Sequence, residues 1–192
     1  DLIISEYSEG SSNNKYIELY NGTSEAVLMD HYELWRISNG GEWPEAAAFT
    51  FDFEGIFIFP GETFIICNSN ADSYILQQAD IYTSFLNFNG DDALGLAKNV
   101  GGDFILIDAV GTNGADPGSG WDIDGVQDAT RDHTLIRKST ICNPNPDWST
   151  CVFEWDVFDQ NYWGNLGEHN FCEQSSQVYG CTDLFAQNYN SQ

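Results

Sequence analysis

Basic residues are scarce in this 192-residue sequence: six lysines and arginines stand against thirty aspartates and glutamates, for a formal net charge of −24. A negative field of this strength repels the phosphate backbone of nucleic acids, so direct nucleic-acid binding is not expected. Long apolar runs are also missing, and the sequence therefore predicts no membrane insertion. Excess carboxylates suit divalent cations, although most of them are expected to form a solvated acidic surface.

The cysteines lack the C-x-x-C pairs and the histidine spacing that indicate a zinc site. They are Cys67, Cys142, Cys151, Cys172 and Cys181. An oxidising compartment explains them better, so we expect an extracellular or cell-surface protein. Cys142 and Cys151 flank a turn-rich segment and are predicted to form a disulfide, whereas Cys67 lies in an apolar run and is predicted to be a buried free thiol. No leader precedes Asp1, which indicates a mature or excised segment.

Short alternating apolar runs recur every 8 to 12 residues with turn signals between them, a pattern typical of an antiparallel β-sandwich or barrel. Residues 71–79 have helical spacing and predict one short helix. In residues 104–110 the alternation places Phe104, Leu106 and Asp108 on one face of a strand. Residues 173–180 resemble a polar linker, so the main domain is predicted over residues 1–172, with a truncated cysteine-containing module beginning at residues 181–192.

Several runs together resemble the bacterial branch of the lamin tail domain family. They are Ile4-Ser5-Glu6-Tyr7, Ile17-Glu18-Leu19-Tyr20-Asn21, Phe88-Asn89-Gly90-Asp91-Asp92-Ala93, Asp116-Pro117-Gly118, Asp132-His133-Thr134-Leu135 and Trp163 with Leu166-Gly167. The resemblance implies an immunoglobulin-like antiparallel β-sandwich with long loops, used as an accessory module in large secreted or surface proteins. Residues 180–190 are similar to short cysteine-containing repeats of secreted Bacteroidetes proteins.

The glycine-rich stretch between residues 114 and 138 holds the best candidate site. Its aspartates Asp116, Asp122, Asp124 and Asp128 offer hard oxygen ligands at a spacing that suits Ca²⁺. The EF-hand pattern fails there, because Gly120 and Arg131 occupy its first and twelfth ligand positions. The alternative is that these aspartates form turns and face water.

Catalytic patterns are weak, and the chain is predicted not to be an enzyme. No Gly-x-Ser-x-Gly turn supplies a nucleophile for Asp132-His133, and no spacing singles out an acid and base pair for glycoside hydrolysis. Trp43 and Trp121 lie in glycine-rich loops and are the predicted exposed partner contacts. The sequence thus predicts a structural or adhesive extracellular module that contacts other domains of the same or neighbouring surface proteins. The alternative is an accessory carbohydrate-binding domain of a secreted hydrolase.

Overall fold

The alternating runs form β-strands in the computed structural model, which describes residues 1–44, 49–50 and 55–169. The strands are β1 (Leu2–Glu9), β2 (Lys15–Asn21), β3 (Val27–Leu28), β4 (Tyr32–Ile37), β5 (Phe49–Thr50), β6 (Phe57–Ile58), β7 (Thr63–Asn68), β8 (Ile81–Thr83), β9 (Ala93–Val100), β10 (Asp103–Val110), β11 (His133–Arg137) and β12 (Trp155–Asp159). Among the described residues two short α-helices accompany them, α1 (Ser73–Gln78) and α2 (Trp148–Cys151), together with two 3-10 turns. The predicted all-β class is confirmed.

Within the described residues the strands form a six-stranded sheet, a four-stranded sheet and a two-stranded ribbon. Their orders are β12-β11-β1-β2-β7-β8, β10-β9-β4-β5 and β3-β6. The pairs are antiparallel except for β7 and β8, which run parallel because α1 connects them. Apolar side chains from both larger sheets, among them Ile4, Ile17, Leu34 and Leu96, form one buried core. Alternation thus buries one face of each sheet, as expected for stacked antiparallel sheets.

A second, smaller cluster covers the other face of the six-stranded sheet. Ile75 of α1 and Leu166 pack there against Tyr16, Ile65 and Cys67. The predicted helix is confirmed; it begins after a cap in which the side chain of Asp72 accepts a hydrogen bond from the Tyr74 amide at 2.8 Å. The predicted buried free thiol of Cys67 is also confirmed. Because both faces are covered, polar side chains on this sheet are withdrawn from water.

Strand β10 departs from the predicted alternation. Its pairing with β9 shifts register between Leu106 and Asp108, which is the signature of a β-bulge. The side chain of Asp108 is fully buried, while Phe104 and Leu106 are only half-buried. One extra residue in a strand reverses the direction of every following side chain, so a strict period of two could not place Asp108 correctly.

No helix among the described residues has the length and apolar character needed to cross a membrane. The predicted linker and the predicted start of a second module lie outside the described residues, and the domain boundary at residue 172 stays a prediction.

Candidate functional site

The long loop between β10 and β11 uses its aspartates to shape its own backbone. Asp116 accepts a hydrogen bond from the Gly118 amide at 2.6 Å, and Asp122 accepts one from the Asp128 amide at 2.9 Å. Asp124 and Asp128 adopt the left-handed backbone region, which aspartate tolerates better than most residues. Among the described residues no group of three or more histidines, cysteines, aspartates or glutamates is placed to hold a metal ion. Calcium binding by this loop stays a prediction.

Both tryptophans that the sequence predicts to be exposed are half-buried. Trp121 lies edge-on to Trp148, with ring centroids 6.2 Å apart. Trp43 lies 6.4 Å from the Trp35 ring and packs over Gly95. The expectation of exposure was wrong because glycines leave space into which large rings fold back. Among the described residues the most exposed large rings are instead Tyr82, Phe59 and Phe153, at 64%, 56% and 65%.

The predicted disulfide between Cys142 and Cys151 is not formed, because Cys151 is a buried free thiol. The turn between them was expected to bring the sulfurs together, but its end folds into α2, which Asp147 caps. This helical turn directs the Cys151 sulfur inward, where Arg137 Nη1 lies 2.9 Å away. Burial raises the pKa of the Cys151 thiol to about 11. Cys142 itself is not a free thiol.

Arg137 forms the centre of a buried polar group that joins the two larger sheets. Its Nη2 lies 2.6 Å from both carboxylate oxygens of Asp108, and its Nη1 donates to Glu154 at 2.7 Å. The guanidinium also stacks 4.1 Å from the Trp155 ring. Ile4 uses both backbone groups here: its amide donates to Asp108 at 2.7 Å and its carbonyl accepts from Arg137 Nε at 3.1 Å. The ion pair therefore takes the place of pairing with β11 at the amino-terminal end of β1, where the register between the two strands begins only at Glu6.

Glu6 and Glu18 form a second buried polar group on the face covered by α1. They lie opposite each other in register on β1 and β2 and are at most 1% exposed. Tyr16 donates to Glu6, while Glu18 accepts from Ser5 Oγ at 2.7 Å and from the Gly167 amide at 2.7 Å. Burial, reinforced by the charge of Glu18, raises the pKa of Glu6 to about 8, and burial raises that of Glu18 to about 7. The pair holds the covering segment onto the sheet.

A polar cavity of about 300 Å³, here called the Asp91 cavity, opens where β1, the turn before β9 and the long loop meet. Glu9, Asp91, Ser119, Arg131 and Asp132 are among the residues that line it. Glu9 is buried and accepts from Lys15 Nζ and from the Asp132 amide, each at 2.5 Å. These contacts hold the end of the loop against the sheet.

Gly90 allows the loop to approach the turn before β9. Thr130 Oγ1 donates to the Gly90 carbonyl at 2.6 Å, and a Cβ at Gly90 would lie 2.6 Å from the Arg131 Cα. We expect Gly90→Ala to lower the free energy of unfolding by about 1–3 kcal/mol, because backbone must move. Chemical denaturation measures this. In the control Gly22→Ala a Cβ meets side-chain atoms of Tyr20 and no backbone, with the nearest atom at 3.1 Å; an equal loss in both variants would contradict the prediction.

In a comparison with protein families, the Lamin Tail Domain model matches residues 1–114. This is more than half of the chain. The chain belongs to the lamin tail domain family. The fold is therefore an immunoglobulin-like all-β fold, as the sequence resemblance implied. Neither the curated proteins nor the solved structures contain a significant match.

The matched part of this lamin tail domain ends before most of the long loop. Glu9 and Asp91 lie inside it, whereas Ser119, Arg131 and Asp132 lie beyond it. The comparisons do not support the resemblance of residues 180–190 to Bacteroidetes repeats. Sequence reasoning missed the Asp91 cavity because its residues are far apart along the chain. Asp91 and Asp92, which follow Gly90, were the feature of the sequence that could have indicated the cavity, but they served only to support the family resemblance.

Proposed function

We propose that this lamin tail domain is a non-catalytic, extracellular structural or adhesive module of a larger secreted or cell-surface protein. Membership of an immunoglobulin-like family supports a module without chemistry of its own. The strongly acidic composition and the five cysteines support an extracellular location.

The observation that carries the proposal is the use of the buried polar residues as connectors. Arg137 joins β11 to β10 and β1 through Asp108 and Ile4, and Glu18 holds the Gly167 amide. Both acidic groups of the Glu6 and Glu18 pair are enclosed by protein, so a substrate has no access to them. Carboxylates with raised pKa values can act as an acid or base when they lie in an open cleft, but here the Glu18 carboxylate connects the sheet to the segment that covers it.

Surface labelling of cells that make the parent protein tests the location. An antibody against residues 1–169 should label intact cells, and protease added outside should remove the label. Labelling that requires permeabilised cells would contradict an extracellular module. Deleting these residues from the parent protein tests the role: adhesion or assembly should fall while any hydrolysis by the parent continues at the same rate on a soluble substrate.

Carbohydrate binding as part of a hydrolase stays a prediction from composition. The tryptophans on which it depended, Trp43 and Trp121, pack against other rings and glycines. The deletion experiment distinguishes carbohydrate binding from a structural role. Loss of a carbohydrate-binding module should lower the rate of hydrolysis by the parent protein far more on insoluble polysaccharide than on a soluble oligosaccharide.

A further inference from the structure

The disulfide that includes Cys142 uses neither of the other two described cysteines. Cys142 is disulfide-bonded, whereas Cys67 and Cys151 are buried free thiols. The chain has five cysteines, so the candidates left within it are Cys172 and Cys181, which lie outside the described residues. The described residues that precede these two cysteines decide between them.

The covering segment, residues 162–169, is held against the six-stranded sheet near its end. The amide of Gly167 donates to the buried Glu18 carboxylate at 2.7 Å. His169 follows, and its ring centroid lies 4.8 Å from that of Tyr20 on β2. The chain beyond His169 therefore starts from a fixed point on the sheet.

This fixed point lies beside the start of the segment that carries Cys142. Ser139, which follows β11, and His169 line one cavity of about 210 Å³. Cys142 comes three positions after Ser139, and Cys172 comes three positions after His169. Three residues extend over at most about 11 Å, so neither cysteine is far from this cavity. A disulfide needs Cα atoms roughly 4.4–6.8 Å apart, which two short tethers beginning at one cavity allow.

Tether length favours Cys172 over Cys181 as the partner of Cys142. Cys181 comes twelve positions after His169, four times as far along the chain as Cys172. The local concentration of a tethered group falls as roughly the −3/2 power of the tether length, so the shorter tether gives an advantage of about eightfold.

We propose that Cys142 and Cys172 form a disulfide that holds the end of the covering segment to the segment between β11 and α2. The bond forms by thiol–disulfide exchange: a small disulfide such as oxidised glutathione accepts the two electrons, takes up both cysteine protons and leaves as two thiols. The crosslink goes beyond the proposed function, because it is a property of the isolated chain. Failure of the surface-labelling experiment leaves it intact, and its absence leaves the structural module intact.

Non-reducing peptide mapping of the monomeric 192-residue chain tests the pairing. After oxidation with glutathione, free thiols are blocked with N-ethylmaleimide in denaturant, and trypsin with a glutamate-specific protease separates the candidates. Cys142 and Cys151 fall in fragment 139–154, Cys172 in 169–173 and Cys181 in 174–192. Mass spectrometry should find 139–154 joined to 169–173, with N-ethylmaleimide on Cys151. The proposal is overturned if 139–154 is joined to any other fragment, contains an internal disulfide or is blocked at both cysteines.

Melting curves of the oxidised chain test whether the bond holds the covering segment. Cys172→Ser should lower the melting temperature by roughly 10 °C, because the unfolded chain regains the freedom that the closed loop removes. The control Cys181→Ser should melt as wild type does. A phosphine reductant should lower wild type to the value of Cys172→Ser and leave that variant unchanged, which separates the bond from the side chain lost. Equal melting temperatures of the two variants, or an equal response of wild type and Cys172→Ser to the reductant, would overturn the crosslink.

Discussion

Arg137→Met is expected to lower the free energy of unfolding by about 3–5 kcal/mol, because it leaves the buried Asp108 carboxylate without its counter-ion. Both side chains of this pair are fully buried, and without Arg137 the hydrogen-bond donors left to Asp108 among the described residues are the Ile4, Ala109 and Asn145 amides. The same variant also removes the donor to the Ile4 carbonyl and the stacking on Trp155. Urea denaturation followed by tryptophan fluorescence measures the loss in free energy. A thermal melt should show a melting temperature lower by roughly 10 °C.

The neighbouring basic residue supplies the matched control. Lys138 is partly exposed and donates to the Phe153 carbonyl at 2.8 Å on the surface, so Lys138→Met should change the unfolding free energy by less than about 1 kcal/mol.

A double variant tests whether the cost comes from the unpaired charge. Arg137→Met combined with Asp108→Asn should be more stable than Arg137→Met alone, because the second change removes the buried negative charge. Equality between the double variant and the sum of the two single effects would show that the residues are not coupled and would contradict the assigned role.

Stability is expected to fall as the pH rises from 6.5 to 8.5, and Glu6→Gln should remove most of that fall. Burial raises the pKa of folded Glu6 to about 8 and that of Glu18 to about 7, from unperturbed values of 4.5. In this window the unfolded chain has already lost both protons, while the folded chain loses them as pH rises through the folded values. The folded state therefore binds more protons, and its stability decreases with pH.

The expected loss from Glu6 over this window is on the order of 2 kcal/mol, or a melting temperature lower by roughly 4–8 °C. Burial lowers the pKa of His169 to about 4 from 6.5, so His169 raises stability with pH and its effect is nearly complete one unit above pH 6.5; it is the same in wild type and in Glu6→Gln. Melting curves at constant ionic strength provide the measurement. Glu25→Gln, at an exposed position, should keep the wild-type slope. A Glu6→Gln slope equal to that of wild type would show that the pair does not titrate as described.

Local patterns were sufficient for several parts of this molecule. The alternation of β2, with Ile17 and Leu19 on the core side, and the Asp72 cap before α1 depend on neighbours a few residues away. Cys67 lies within an apolar strand, so its burial followed from the residues around it. These features are set by side-chain period and capping, which a sequence displays directly.

The disulfide and the exposed tryptophans show where local reasoning failed. A turn between Cys142 and Cys151 was a sound expectation by spacing, but α2 turned the second sulfur towards Arg137. The glycine-rich surroundings of Trp121 suggested exposure, yet Gly111 gives the ring a surface to pack on. In both cases the deciding contact comes from a residue ten or more positions away along the chain.

The sequence by itself determined the acidic, all-β character of this lamin tail domain and the family to which it belongs. Only the tertiary structure decided which of the acids are paired. Asp108 meets Arg137 29 residues away and Glu9 meets the Asp132 amide 123 residues away, whereas Asp91 Oδ1 meets no donor among the described residues. These outcomes depend on bulges that reverse side-chain direction and on the close approach at Gly90, because pairing between distant strands is fixed by the packing of the whole core.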